Sequence, residues 1–372
     1  MVPKFKEVIS DHGQYMNEWK ARTNRKVIGY LCTYLAEEIV YAGGLLPIRI
    51  IASEEPPVNA ERYMAQWTCP FSRGCLEQGL TGQYDYVDAL VYPWTCSHTS
   101  ATSFYWKEYV PNAETYLISM PKALARKGAR SFLVAELLKF KNWLEQFGDV
   151  KIEDKDLERG IEICNTSRRL MRQVYELRRQ DPPVITGVEA VEMVMSSQMM
   201  DKEEHSRLLA QWLENHGERP RIAKTEVRLM AVGSCVDKPQ VLQMIEDMGA
   251  NVVVDDLCTG SRYFWDDVQV EPDLLGAIGQ RLIDRVNCPA KIAGDRRYQH
   301  ILKLAREYNV HGVIVLHQKF CNPHGNDYPN LRNTLVENDF PVLQLELDIP
   351  VPSGQIKTRV QTFVEMLEVE KV

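Results

Sequence analysis

Short apolar runs alternate with stretches of helical periodicity in both halves of this sequence, and that alternation is what most narrows the fold. In the first half, Lys26–Leu31, Leu46–Ile51, Ala89–Pro93 and Thr115–Met120 read as buried strands. Between the first two lies Leu35–Ala42, apolar at helical spacing and stopped by Gly43-Gly44. In the second half Val227–Gly233, Asn251–Asp256, Val313–His317 and Val342–Glu346 read as strands. Gln240–Met248, Tyr298–Glu307 and Ile356–Leu367 read as helices there. Strand and helix in strict alternation imply a parallel sheet covered on both faces. The middle has another pattern: Phe132–Phe147, Asp156–Arg179 and Ala190–Trp212 carry apolar residues three and four apart, with Asp181-Pro182-Pro183 as a break. The expectation is an α/β chain of two Rossmann-like parallel-sheet lobes, 1–128 and 223–372, joined by a helical section, 129–222.

Charge and hydropathy exclude several classes of function. A net charge of −7 argues against a nucleic-acid surface, which needs a basic face. The most apolar stretch, Val27–Ile51, is interrupted by Glu37-Glu38 and Gly43-Gly44, so no membrane span is expected. The first residues lack the apolar core of a signal peptide, which points to a cytoplasmic protein. There the nine cysteines are thiols or metal ligands, not disulfides.

In an open parallel sheet, ligands bind beyond the carboxyl ends of the strands. Cys96 follows the strand at Ala89–Pro93, and Cys321 follows the one at Val313–His317. Cys69 precedes a helix whose dipole favours a thiolate. Three thiolates with an open fourth position can hold Zn²⁺ or a [4Fe–4S] cluster. Yet 27 positions separate Cys69 from Cys96 and 225 separate Cys96 from Cys321, matching neither zinc-ribbon nor ferredoxin spacing. Each is equally readable as a small buried hydrophobe. Cys32, Cys75 and Cys258 are further candidates, Cys235 reads as a turn residue, and Cys164 and Cys288 read as packing residues.

Taken together, these loops resemble the benzoyl-CoA reductase / 2-hydroxyacyl-CoA dehydratase family, in its shorter-subunit form. The resemblance runs through Gly29-Tyr30-Leu31-Cys32-Thr33-Tyr34, Ala42-Gly43-Gly44-Leu45-Leu46-Pro47, Trp67-Thr68-Cys69-Pro70-Phe71 and Thr95-Cys96. It continues through Asp255-Asp256-Leu257-Cys258, Ser261-Arg262-Tyr263-Phe264, Lys319-Phe320-Cys321-Asn322-Pro323 and Gly354-Gln355. Ser97 and Ala36 depart from the family's usual aspartate and proline. The resemblance implies a [4Fe–4S] cluster on Cys69, Cys96 and Cys321, an acyl-CoA substrate and a related larger partner subunit. It also implies a separate ATP-hydrolysing iron–sulfur activator, with ferredoxin upstream. The chain has no Gly-x-x-x-x-Gly-Lys-Ser/Thr loop, which fits a subunit that receives electrons.

The implied chemistry is one-electron reduction of a thioester carbonyl to a ketyl radical anion. Reductases of the family protonate and reduce further, dearomatising a ring; dehydratases expel a hydroxyl group. The segment Leu345–Gln355 looks more like ring reductases, so ring reduction is the first expectation and dehydration the alternative. His98 and His324 are candidate proton donors, and Glu37 a candidate acid. A different class also suits two lobes bridged by helices: a non-catalytic metal- or ligand-binding protein.

Overall fold

The computed structural model describes residues 2–52, 54–111, 114–215, 222, 225 and 227–369. Two helices, α1 (Pro3–Ser10) and α2 (His12–Thr23), precede the first sheet, beyond those that sequence periodicity marks. The first lobe follows as β1 (Val27–Tyr30), α3 (Glu37–Ala42), β2 (Leu46–Arg49), α4 (Pro70–Leu80), β3 (Ala89–Pro93), α5 (Ser97–Tyr109) and β4 (Glu114–Ile118). Its four strands are all parallel, in the order β2-β1-β3-β4.

Four helices come next: α6 (Ala129–Gly148), α7 (Asp154–Glu176), α8 (Gly187–Met199) and α9 (Lys202–Asn215). The expected helical stretch over Ala190–Trp212 comprises two helices. The chain breaks at Met200-Asp201, where the Asp201 carboxylate accepts from the backbone N–H of Glu203 and opens a new helix. The start of α8 is fixed by a capping box between Thr186 and Glu189. The expected boundary at 222/223 adjoins 216–221 and 223–224, which lie outside the described residues.

The second lobe comprises β5 (Val227–Gly233), α10 (Gln240–Glu246), β6 (Ala250–Asp256), α11 (Ser261–Phe264), α12 (Leu274–Asp284), α13 (Arg296–Glu307), β7 (Gly312–Gln318), α14 (Asn322–Val336), β8 (Val342–Leu347) and α15 (Ser353–Val369). Its sheet repeats the first, parallel in the order β6-β5-β7-β8. The fold is therefore two Rossmann-like α/β lobes, as the alternation predicts.

The lobes share their cores. Met193 and Val194 of α8 pack in one cluster with Leu46 of β2, Val252 of β6 and Trp19 of α2. Ile278 and Leu282 of α12, from the C-terminal half, pack with Leu133 and Leu137 of α6 onto the face of β1 and β3. Among the described residues no helix is long and apolar enough to cross a membrane.

Candidate metal centre

In each sheet the strand order turns back at the central pair, β1/β3 in one lobe and β5/β7 in the other. Such switch points leave a crevice at the carboxyl edge. Here the two carboxyl edges face a common cavity of about 90 Å³. The segments after β1, β3, β5, β6 and β7 deliver Cys32, Cys96, Cys235, Cys258 and Cys321 to it, and the end of β2 delivers Arg49. Cys69 and Cys288 complete the sulfur lining.

Three of these thiols have one local design. Cys69, Cys96 and Cys321 are the N-cap residues of α4, α5 and α14. Proline at the first or second position of α4 and α14 suits a helix start, where a missing N–H costs nothing. Sulfur and hydroxyl meet one turn on: Cys69 Sγ lies 3.4 Å from Ser72 Oγ and Cys96 Sγ 3.3 Å from Thr99 Oγ1. Burial pushes the Cys69 thiol up to about 11, the neighbouring Cys96 adding to it. Burial likewise raises Cys321, with Cys69 as the next contributor. Desolvation thus outweighs the helix dipole, and the thiolate expected at Cys69 on the dipole alone is not favoured. A metal that displaces these protons would supply the missing compensation.

Arg49 is the residue that sequence reasoning missed. It is 1% exposed, and its guanidinium donates to Cys258 Sγ at 3.0 Å, Cys235 Sγ at 3.2 Å and Gln198 Oε1 at 2.8 Å. Among the described residues it has no carboxylate partner. Cys258 falls well below the ordinary thiol range, first through the hydrogen bond from Cys235 and then through Arg49 and Arg262. Cys288, expected to be a packing residue, and Cys235, expected to sit in a plain turn, both face the cavity. Cys75 and Cys164 are buried outside its lining.

The other expected site residues separate into two groups. His324 lines the cavity, 8% exposed, and its pKa is lowered first by burial and then by Arg262 and Arg297, so its imidazole is neutral. His98 accepts a hydrogen bond at Nδ1 from the backbone N–H of Cys69, 3.2 Å away. Glu37 stands outside the lining. Its carboxylate accepts from Lys202 Nζ at 2.9 Å, Tyr30 at 3.1 Å and Tyr263 at 2.6 Å.

Cys69, Cys96 and Cys321 around one cavity are the donor type that zinc or an iron–sulfur cluster takes. Among the described residues no three His, Cys, Asp or Glu side chains gather closely enough for one metal ion. Sulfurs sharing one zinc at 2.3 Å would stand about 3.8 Å apart. A cube would instead distribute its thiolates over separate corners. A cluster ligated by thiolates is anionic, and Arg49 is a buried cation beside the cavity, held against the sulfurs of Cys235 and Cys258.

Comparison with known proteins gives the family. A family model described as 2-hydroxyglutaryl-CoA dehydratase, D-component, matches residues 32–367. The (R)-phenyllactyl-CoA dehydratase beta subunit of Clostridium sporogenes is 25% identical, over 98% of this chain and 97% of its own. The beta subunit of lactoyl-CoA dehydratase from Anaerotignum propionicum is 26% identical, over 99% and 98%. One of the subunits of benzoyl-CoA reductase from Thauera aromatica is 24% identical, over 94% and 93%.

Proposed function

Because the chain belongs to the 2-hydroxyglutaryl-CoA dehydratase D-component family, we propose that it is the iron–sulfur subunit of an acyl-CoA reductase or dehydratase. The observation that carries this reading is the convergence of Cys69, Cys96 and Cys321, each opening a helix, on one buried cavity beside Arg49. A [4Fe–4S] cluster bound there supplies single electrons at low potential.

The chain's own residues set the conditions for that chemistry. Cys69, Cys96 and Cys321 are the ligands. Thr99 offers a hydroxyl hydrogen bond to the Cys96 sulfur, and Arg49 holds a fixed positive charge next to the cavity; both raise a cluster's potential. Leu31, Phe71, Ala290 and Pro323 make part of the lining apolar. His324 is a neutral imidazole at the cavity and the group we assign to proton handling; His98 orients the Cys69 backbone. Glu37, in its ion pair with Lys202, braces α3 against α9 and is not assigned to the reaction.

The reading includes a related larger subunit and an ATP-hydrolysing activator as partners, and ferredoxin as the upstream donor. Ring reduction is the first assignment because the segment Leu345–Gln355 looks more like ring-reductase subunits than dehydratase ones. Dehydration is the second, favoured by the two dehydratase subunits among the relatives. The test is anaerobic co-purification with the partner, then assay with benzoyl-CoA and with a 2-hydroxyacyl-CoA, each with reduced activator and ATP. ATP-dependent turnover of either ester supports the reading, and the ester turned over names the reaction. Turnover of neither by an iron-replete complex contradicts it.

A further inference from the structure

An open cleft of about 740 Å³ adjoins the cysteine cavity and shares Thr95, Cys96, Ala290 and Pro323 with it. That size lies within the roughly 300–1,000 Å³ of small-molecule sites. Its polar groups are arranged in an unusual way. The carbonyls of Trp94 and Thr95, just ahead of Cys96, each hold a lysine ammonium: Lys291 Nζ at 3.2 Å and Lys122 Nζ at 2.6 Å. An ammonium has three donors, so each lysine keeps hydrogen-bonding capacity in reserve.

Lys291 is 2% exposed and forms no ion pair with a carboxylate among the described residues. Buried charges are ordinarily paired. Arg297, also 2% exposed, lines the same cleft. Its Nε and Nη1 are taken by Asp256 and Asp327, while Nη2 has no partner. Of the two acidic residues lining the cleft, Asp327 is already engaged by Arg297 and Tyr298, leaving Asp295. With Arg297 paired, the two lysines of the cleft face one remaining lining carboxylate, Asp295. Burial, and then the charge of Lys122, brings Lys291 down to about 8, a repulsion that a bound anion would relieve.

We propose that this cleft is an oxyanion-binding site, in which Lys291 and Lys122 seat an acidic group of the acyl-CoA ester. The inference rests on the acyl-CoA reading above and deepens it, by naming where and how the ester is held. A phosphate of the coenzyme and a carboxylate on the acyl group present the same chemistry to these donors. Asn287 Oδ1, buried on the same cleft wall without a partner, offers an acceptor for an N–H or O–H of the same ligand.

The test is calorimetric titration of the anaerobically purified chain, with iron measured on every sample. Pyrophosphate and succinate are titrated separately into wild type, Lys291→Met and Lys122→Met. The expected result is saturable binding of at least one anion, weakened about tenfold by each substitution, the loss of one charge-assisted hydrogen bond. Preference for pyrophosphate assigns the site to the coenzyme's phosphates; preference for succinate assigns it to an acyl carboxylate. Lys122 is exposed, so its variant tests the site even if burying a methionine at 291 disturbs folding. No saturable binding up to about 10 mM, or equal binding in wild type and both variants, overturns the proposal. In iron-replete protein that result defeats the cleft assignment alone. Anion binding intact in protein unable to hold iron supports the cleft and defeats the reading of the cysteines.

Discussion

Arg49 ends strand β2 with its guanidinium wholly inside the protein, touching two sulfurs. Arg49→Met keeps much of the apolar stem and removes the charge. The midpoint potential of the cluster, followed by EPR-monitored redox titration, is expected to fall by tens of millivolts, about 59 mV for each tenfold loss of stabilisation of the reduced form. An unchanged potential would remove Arg49 from the centre. A second residue, His12, belongs to stability. Burial brings it down to about 4, and it contacts the Tyr86 hydroxyl and the Met199 carbonyl. Between pH 6.5 and 4 the unfolded chain binds the proton that folded His12 refuses, so stability is full above 6.5 and is lost as pH falls toward 4. His205, lowered by burial and then by Lys202, acts in the same direction. Denaturant unfolding across that window should give a smaller pH slope in His12→Gln than in wild type; equal slopes would exclude the residue. At this scale the sequence is informative for Cys96 and Cys321, because a cysteine just beyond an apolar run marks a strand end, and for Cys69 through the helix start that follows it. It is silent on Arg49 and Cys288. An arginine closing an apolar run carries no sign of which way it faces, and Cys288 follows no strand.

Helices and strands are more legible where periodicity is strong. β3 is located to the residue, and β6, β7 and β8 to within one residue at each end. α12 and α14 escape sequence periodicity. α14 begins with proline in its first turn, carries Pro329 in its interior and buries few side chains, so its apolar periodicity is weak. α12 buries its apolar face against α6 and the first sheet. The contact of α7 with α3 supplies a test at this scale. A Cβ on Gly160 of α7 would run into the Glu38 carbonyl of α3. Gly160→Ala is expected to destabilise the chain by about 1–3 kcal/mol through forced separation of the two helices. Thermal unfolding that matches wild type would contradict the observed approach.

For the molecule as a whole, the decisive property is that two parallel sheets bring their carboxyl edges to one cavity. The alternation of elements predicts the two sheets, but not their mutual orientation. That depends on α8 and α12, which tie the lobes together through shared cores, and such long-range packing leaves no local pattern. The shared cores also link the helices opened by Cys69 and Cys96 to the lobe that carries Cys321. The most direct measurement is iron and acid-labile sulfide in the anaerobically purified chain, alongside Cys69→Ser, Cys96→Ser and Cys321→Ser. The account predicts at least about four of each per wild-type chain and loss of that content in every variant that remains folded. A single zinc, or iron that survives all three substitutions, would contradict it.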